Sequence, residues 1–294
     1  MKAWLIYDRA GADRNRDYID YHQEVGARYG IKFQLRYAED IPEYEPERLP
    51  EETRPDFAIV RTIMPAVNAL LEAHGIPTYN NSRVSYLTNH KGRCIEYVSK
   101  KTDVPVIPTT VLSYGAAVIS TDKQGYVLKP AGGHGGNGVR RIPAGGLPEE
   151  TMKNLLQEDD YILQPFIEGP REDVRVYVIG DRIVAAVRRR ATGEEFRANA
   201  SLGGCVERFE LNETERDYVR QIISVFDFGM VGIDFIIDDG GAFLFNEIED
   251  VVGARMLYRA CPEIDILDEY IRFIRDRVPP AGPGTGGSES LTQP

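Results

Sequence analysis

Three carboxylates crowd one short stretch of this chain: Asp234 in Gly232-Ile233-Asp234-Phe235-Ile236-Ile237, and Glu247 and Glu249 in Ala242-Phe243-Leu244-Phe245-Asn246-Glu247-Ile248-Glu249. Two apolar, aromatic-rich runs flank an Asp239-Gly240 centre, a strong short-range signal for a β-hairpin. A turn on that centre sets Ile237 opposite Ala242 and Asp234 opposite Phe245. Side chains alternate faces along a strand, so Asp234, Glu247 and Glu249 share one face. Glu247 is then diagonal to Asp234, at roughly 7–8 Å between Cα atoms. Carboxylates gathered on a greasy hairpin repel one another and need cations. Hard oxygen ligands of this kind suit Mg²⁺ or Mn²⁺. A solvated hairpin face with scattered acidic residues fits the same stretch.

A second chemical feature is Lys129 at the end of the run Tyr126–Lys129, followed by five glycines within Gly132–Gly138. Glycine lets backbone N–H groups approach a polyphosphate closely, and the ammonium of Lys129 could meet its oxygens. The loop is not a Walker A loop, because no G-K-[ST] closes it. A plain flexible loop is the alternative. Third, Arg175, Arg188, Arg189, Arg190 and Arg197 gather in an otherwise acidic chain, which locally builds a positive site. A hairpin turning at Gly180-Asp181 sets Arg175 opposite Ala186 and Asp173 opposite Arg188. Arg189 then continues the opposite face, among Val174, Val176 and Val178. A guanidinium sharing an apolar face should be paired or hold an anion. A solvated, charged strand end is the alternative for Arg188 and Arg190.

The elements that position these groups follow from periodicity. Over the first 80 residues strand and helix alternate: strands at Trp4–Tyr7, Lys32–Tyr37, Phe57–Arg61 and Pro77–Tyr79, helices at Arg16–Tyr29 and Ala66–His74. Such βαβ alternation implies an open parallel sheet. It carries no G-x-G-x-x-G, so its Rossmann-like form is no sign of a dinucleotide. One helix is expected over Ser82–Lys101, then an extended connector Val104–Leu112 interrupted by Pro105 and Pro108. Strands follow at Tyr161–Gln164, Val174–Ile179 and Arg182–Arg188, and helices at Thr214–Phe226 and Ile264–Arg277. Residues 279–294 are mostly Pro, Gly, Ser and Thr and read as a disordered tail.

The formal net charge of -11 argues against non-specific nucleic-acid binding. No run of eighteen apolar residues exists, so no membrane span is expected, and the N-terminus reads as a strand rather than a signal peptide. Cys94, Cys205 and Cys261 lack metal-site spacing and read as buried or inert thiols in a reducing cytosol, with Cys205 a packed small hydrophobe.

The order of these features resembles the ATP-grasp ligases, most closely the branch holding RimK-type glutamate ligases and glutathione synthetase. The resemblance rests on Tyr126-Val127-Leu128-Lys129-Pro130 with its glycine loop, Leu163-Gln164-Pro165-Phe166-Ile167, Asp173-Val174-Arg175, Phe196-Arg197-Ala198-Asn199, Gly232-Ile233-Asp234 and Asn246-Glu247-Ile248-Glu249, over about residues 80–258. It implies an α/β (α+β) ATP-grasp fold. A Rossmann-like pre-ATP-grasp domain (1–82) would precede two antiparallel-sheet subdomains (83–160 and 161–278) that hold the nucleotide between them.

By this resemblance Lys91 and Lys129 hold ATP phosphates under the loop containing Gly135 and Gly136. Gln164, with the backbone of Phe166 and Ile167, binds adenine; Glu168 reaches the ribose, and Arg175 joins the ATP site. Arg189, Arg197 and Asn199 are the catalytic candidates. Asp234, Glu247 and Glu249 are metal ligands for two Mg²⁺ or Mn²⁺ ions, with Glu249 standing where the family usually has Asn. Arg255 and Tyr258 occupy the place of the substrate loop.

The implied activity is an ATP-dependent carboxylate–amine ligase, working through an acyl phosphate on small amino-acid-like or peptide substrates and releasing ADP and phosphate. A phosphotransferase on the same scaffold and a non-catalytic nucleotide-binding module are the alternatives. A cytoplasmic location follows from the composition, and a homodimer is a family-level expectation only.

Overall fold

The computed structural model describes residues 1–43, 54–113, 125–133, 137–144, 160–190 and 205–278. Gly135, Gly136, Arg197, Asn199 and the expected tail from Pro279 lie outside these residues.

The first apolar run forms strand β1 (Lys2–Tyr7), buried from Ala3 to Tyr7. It lies between β2 (Lys32–Tyr37) and β3 (Phe57–Val60), and a short β4 (Thr78–Tyr79) completes a four-stranded parallel sheet in the order β2-β1-β3-β4. Helices α2 (Arg16–Arg28) and α3 (Pro65–Ala73) make the crossovers that parallel pairing requires. The short helix α1 (Arg9–Arg14) has no counterpart in the sequence reading; its signal is Asp8, whose carboxylate accepts from the N–H of Gly11 at 2.6 Å and caps the turn.

On α2, His22 is fully buried and edge-on to Phe33. Its Nδ1 lies 2.7 Å from the carbonyl of Tyr18, while Nε2 has no partner. Burial pushes the imidazole pKa down to about 3. The sign follows from linkage. The unfolded chain takes up a proton below about pH 6.5 that the folded chain refuses, so stability present above 6.5 is lost as pH falls. At pH 5 this one residue should cost about 2 kcal/mol. Urea midpoints at pH 7 and pH 5 should move apart for the wild type and less for His22→Leu. Equal pH dependence in the two proteins would reject the assignment.

The expected helix over 82–101 is two helices, α4 (Ser82–Thr88) and α5 (Lys91–Lys101). Asn89 turns its amide back to the carbonyl of Ser85, and the His90 ring caps the second helix by accepting from the N–H of Arg93. Polar side chains competing for backbone groups end one helix and start the next. The break puts Lys91 on the first turn of α5.

Strands β5 (Thr110–Leu112), β6 (Tyr126–Pro130), β7 (Arg140–Ile142) and β8 (Tyr161–Pro165) form an antiparallel sheet in the order β5-β8-β6-β7. A second antiparallel sheet runs β11-β10-β9-β12-β13, from β9 (Glu172–Ile179), β10 (Arg182–Arg190), β11 (Cys205–Phe209), β12 (Met230–Ile237) and β13 (Phe243–Glu249). Helix α6 (Glu213–Ser224), opened by an Asn212/Glu215 capping box, covers its inner face. A short α7 (Arg255–Ala260) and the closing α8 (Ile266–Arg277) follow, and α8 packs into the same core as α2. No described helix is long and apolar enough to cross a membrane.

Both hairpins depart from the sequence registers by a bulge. In β9–β10 the turn residue Gly180 has φ +59°, and the Phe273 ring occupies the place where a Cβ would stand, so only glycine fits. Pairing starts as expected at Ile179–Arg182. Val184 is then an extra residue, and Arg175 faces Val187 while Asp173 faces Arg189. The shift moves Arg189 off the apolar face and onto that of Asp173 and Arg175, because a one-residue slip reverses every side chain beyond it.

In β12–β13 the turn spans Asp238–Ala242, with Gly241 at φ +81° and the Asp238 carboxylate accepting from the N–H of Ala242 at 2.8 Å. Ile237 therefore faces Phe243, not Ala242. Asn246 is a second extra residue, so Asp234 faces Glu247 directly instead of Phe245.

Strand β11 was not expected, and the packed role for Cys205 is corrected: Cys205 is exposed on this edge strand, whereas Cys94 and Cys261 are buried.

Candidate functional site

Four basic and four acidic side chains converge where the two antiparallel sheets face each other: Lys91, Lys129, Arg175 and Arg189 with Asp173, Asp234, Glu247 and Glu249. Lys91 is anchored through its backbone N–H to the carbonyl of Ala131 at 2.8 Å. Its ammonium donates to the carbonyl of Gly133, on the glycine loop, and lies 3.2 Å from Glu247 Oε2. Lys129 at the end of β6 donates to Asn246 Oδ1 at 2.9 Å. The bulge in β13 is what aims Asn246 at it, since a bulge re-aims the extra side chain. Burial, with Lys91 nearby, lowers the Lys129 pKa to about 8. Glu247 moves down, because Lys91 and Lys129 together outweigh its burial.

Behind this layer sits a buried ion-pair cluster. Asp234 is 1% exposed and accepts three hydrogen bonds: from Arg175 Nε at 2.7 Å, from Arg175 Nη2 at 2.6 Å and from Arg189 Nη2 at 2.8 Å. Arg175 reaches Glu249 Oε2 at 2.7 Å with its remaining nitrogen, and Arg189 pairs with Asp173. Gly232 leaves room for the packed Arg175 stem, for a Cβ there would stand 3.0 Å from Arg175 Cδ and 2.8 Å from Val252. Burial opposes ionisation of Asp234, but the two guanidinium groups outweigh it and hold its pKa at about 2. Asp173 goes the other way, to about 6, because burial exceeds the pull of Arg189. Burial likewise raises Glu249, against Arg175.

One oxygen each from Asp234, Glu247 and Glu249 lies within 4.8 Å of the other two, a donor set of the hard type that suits a divalent cation. Their availability differs. Both oxygens of Asp234 are committed to arginines, whereas Glu247 and Glu249 each keep one oxygen unpaired among the described residues. The set fits a cation bound by the two glutamates, with Asp234 behind them.

Two cavities open on this cluster. The first, about 290 Å³, lies between the two antiparallel sheets. Val127, Phe166 and Ile237 line its apolar part; Lys91, Lys129, Asn246 and Glu247 line its polar end. The second, about 810 Å³, lies between α1, α2 and α7. Arg189 and Glu249 line both, so the cavities meet there.

The residues singled out in the sequence distribute over this geometry as follows. Gln164, Phe166, Ile167 and Glu168 line the first cavity. The Phe166 N–H is already spent on the carbonyl of Gly125 at 2.8 Å, and its ring lies under Arg141 at 4.0 Å. Gln164 is buried, donating to Thr109 at 2.9 Å and leaving Oε1 without a partner. Arg175 lines the second cavity rather than the first, as do Arg255 and Tyr258.

Sequence reading missed three groups. Asn246 lay inside a quoted motif, and only the bulge points it at Lys129. Asp173 was matched to Arg188, but the bulge gives it Arg189. Asn80, between the strand ending at Tyr79 and the helix starting at Ser82, carries no expectation from the sequence. It accepts from the Gly229 N–H at 2.6 Å and donates to the carbonyls of Met230 and Asp250, pinning both ends of the carboxylate hairpin. No local pattern signals a contact that far along the chain.

The chain is similar to curated proteins of two kinds. It is 30% identical over 141 residues to the uncharacterized protein MG011 homolog of Mycoplasma pneumoniae, an alignment covering 48% of each chain. It is 27% identical over 277 residues to the glutamate–LysW ligase ArgX of Sulfolobus acidocaldarius, covering 88% of this chain and 96% of that one. The chain thus spans about half the length of the first of these relatives. In fold it is similar to the D-cycloserine synthetase DcsG, with a TM-score of 0.71 at 16% identity over 95% of this chain and 100% of that one. It is also similar to an ATP-grasp RimK domain protein of Sphaerobacter thermophilus, with a TM-score of 0.64 at 17% identity over 95% and 99%. The RimK-like ATP-grasp domain model matches residues 67–274, well over half of the sequence, and the chain belongs to that family.

Proposed function

We propose that this protein is an ATP-dependent, ADP-forming carboxylate–amine ligase. One observation carries the reading: a nucleotide-sized cavity with a lysine-rich end meets a second, arginine-rich cavity at Arg189 and Glu249. A polyphosphate entering the first cavity would end beside the mouth of the second, where an acid could attack it. Ligase names among the relatives support the same reading.

In this mechanism a substrate carboxylate oxygen attacks the γ-phosphorus and ADP leaves. An amine nitrogen then attacks the acyl carbon, phosphate leaves, and the nitrogen gives up a proton. The protein contributes positioning and charge. The flat apolar wall and the Gln164–Glu168 segment take the base and sugar. Lys91 and Lys129 neutralise phosphate oxygens, and Arg189 lies at the junction where the transferred group gathers charge. Glu247 and Glu249 would hold a divalent cation, which supplies Lewis-acid neutralisation of phosphate oxygens. Arg197, Asn199, Gly135 and Gly136 belong to this reading by resemblance alone. The divisions at 1–82, 83–160 and 161–278 belong to it too.

The test is a screen of acid and amine pairs with ATP and Mg²⁺, scored for ADP, free phosphate and product mass. ADP and phosphate in equal amounts, requiring both an acid and an amine, are expected. Phosphate retained on an organic product would replace the ligase by a phosphotransferase.

A further inference from the structure

Arg61, just past the end of β3, is a buried cation without an ion-pair partner among the described residues. It is 9% exposed. Its Nη2 donates to the carbonyl of Val252 at 2.9 Å, its Nε has no partner, and its guanidinium stands 5.5 Å from the centre of the Tyr18 ring. No described carboxylate comes within ion-pair distance of it. Asp250, buried nearby, feels the Arg61 charge but not its contact, and its carboxylate accepts from Asn89 at 3.0 Å. Every other buried cation described at the site has an acidic or amide oxygen partner: Lys91 has Glu247, Lys129 has Asn246, Arg175 has Asp234 and Glu249, and Arg189 has Asp173 and Asp234. Taking a charge out of water without a partner is costly, so an orphaned guanidinium in a cavity wall marks a place for an anion.

Its surroundings point the same way. Arg61 lines the second cavity and not the first. Seven arginines and three carboxylates line that cavity, in a protein whose net charge is -11. Arg255 and Arg259, one turn apart on α7, have no ion pair among the described residues. The hydroxyls of Tyr18 and Tyr258, two further lining residues, are also buried without partners. An anion at Arg61 would be distinct from the reacting group, which belongs at the Arg189–Glu249 junction.

We propose that Arg61 is a specificity-determining residue that binds a substrate carboxylate which does not react. The guanidinium offers paired N–H donors in a plane, which match a carboxylate better than a single-point acceptor. Such a group has two sources, a second carboxylate on the acid or the carboxylate of an amino acid acting as amine. The proposal rests on the ligase reading only in taking this cavity as the substrate cavity.

The experiment measures binding to the full chain with ADP and Mg²⁺ present, by calorimetry. Two pairs of probes differ by one negative charge at nearly constant shape: glutarate against its monoamide, and L-alanine against L-alaninamide. The wild type should prefer the charged member of at least one pair by about ten- to a hundredfold, the range for a charge-assisted hydrogen-bonded contact. The preference should vanish in Arg61→Gln and return in part in Arg61→Lys. Which pair discriminates identifies the source of the carboxylate. The affinity for ADP, whose cavity Arg61 does not line, reports that each variant is folded. Absence of preference in both pairs, or a preference surviving in a folded Arg61→Gln, overturns the proposal. Failure of the wild type to bind ADP overturns the ligase reading instead.

Discussion

Glu247→Gln should lose roughly 10²–10⁴-fold in turnover while the protein keeps its fold, the scale of several kcal/mol of transition-state charge stabilisation. Glu247 lies at the polar end of the first cavity, faces Lys91 at 3.2 Å and keeps one oxygen unpaired among the described residues. Glutamine preserves the shape but removes the negative charge that a divalent cation requires. The side chain is only 23% exposed and faces the buried Lys91, so losing the pair should also cost some stability. Steady-state rates measured across a Mg²⁺ titration, beside a urea melt, separate the two effects. The rate should fall at every Mg²⁺ concentration, with partial recovery only at the highest. Wild-type turnover at ordinary Mg²⁺ would remove Glu247 from the metal assignment.

The neighbouring carboxylate should behave in the opposite way, with Asp234→Asn acting first on stability. Asp234 lies under the site, 1% exposed, and its two oxygens accept from three guanidinium nitrogens. An asparagine must turn its NH₂ toward Arg175 Nε or toward the pair Arg175 Nη2 and Arg189 Nη2, so donors face donors in either flip. The charge is lost as well, leaving two buried arginines against Asp173 and Glu249. Removing one partner from a buried ion pair typically costs about 3–5 kcal/mol. The urea midpoint should therefore drop sharply, and nucleotide binding should fall with it. Stability within about 1 kcal/mol of wild type would show that the arginines do not depend on Asp234. The contrast between the two variants is the useful result: it separates a carboxylate available to a cation from one that holds arginines.

That contrast was only half legible in the sequence. Composition and spacing were enough to put Asp234, Glu247 and Glu249 on one hairpin face, because the two one-residue shifts, at the turn and at Asn246, cancel and restore the expected face. They were not enough to place Asp234 directly opposite Glu247. That pairing depends on a five-residue turn closed by Gly241 and on Asn246 as an extra residue. A bulge is a compromise between strand twist and packing on the far side of the sheet, so a local pattern does not announce it. The second bulge, at Val184, had the larger consequence. It carried Arg189 from the apolar face to the charged one, resolving the discomfort of a guanidinium among valines.

The chain by itself determined its family. The order of Lys129, the glycine loop, Gln164, Arg175, Asp234 and Glu247 carries the resemblance that the family match over residues 67–274 bears out. It also determined the alternation of elements, because helix and strand periods are written in the apolar positions. Tertiary structure alone decided which charges are partners and which are available. Burial and distance set the cost of an unpaired charge, and both depend on residues far apart in sequence: Arg175 with Asp234, Lys129 with Asn246, Asn80 with both ends of the hairpin. By the same accounting Arg61, unremarkable as a letter after a strand, is a buried cation without an ion-pair partner among the described residues.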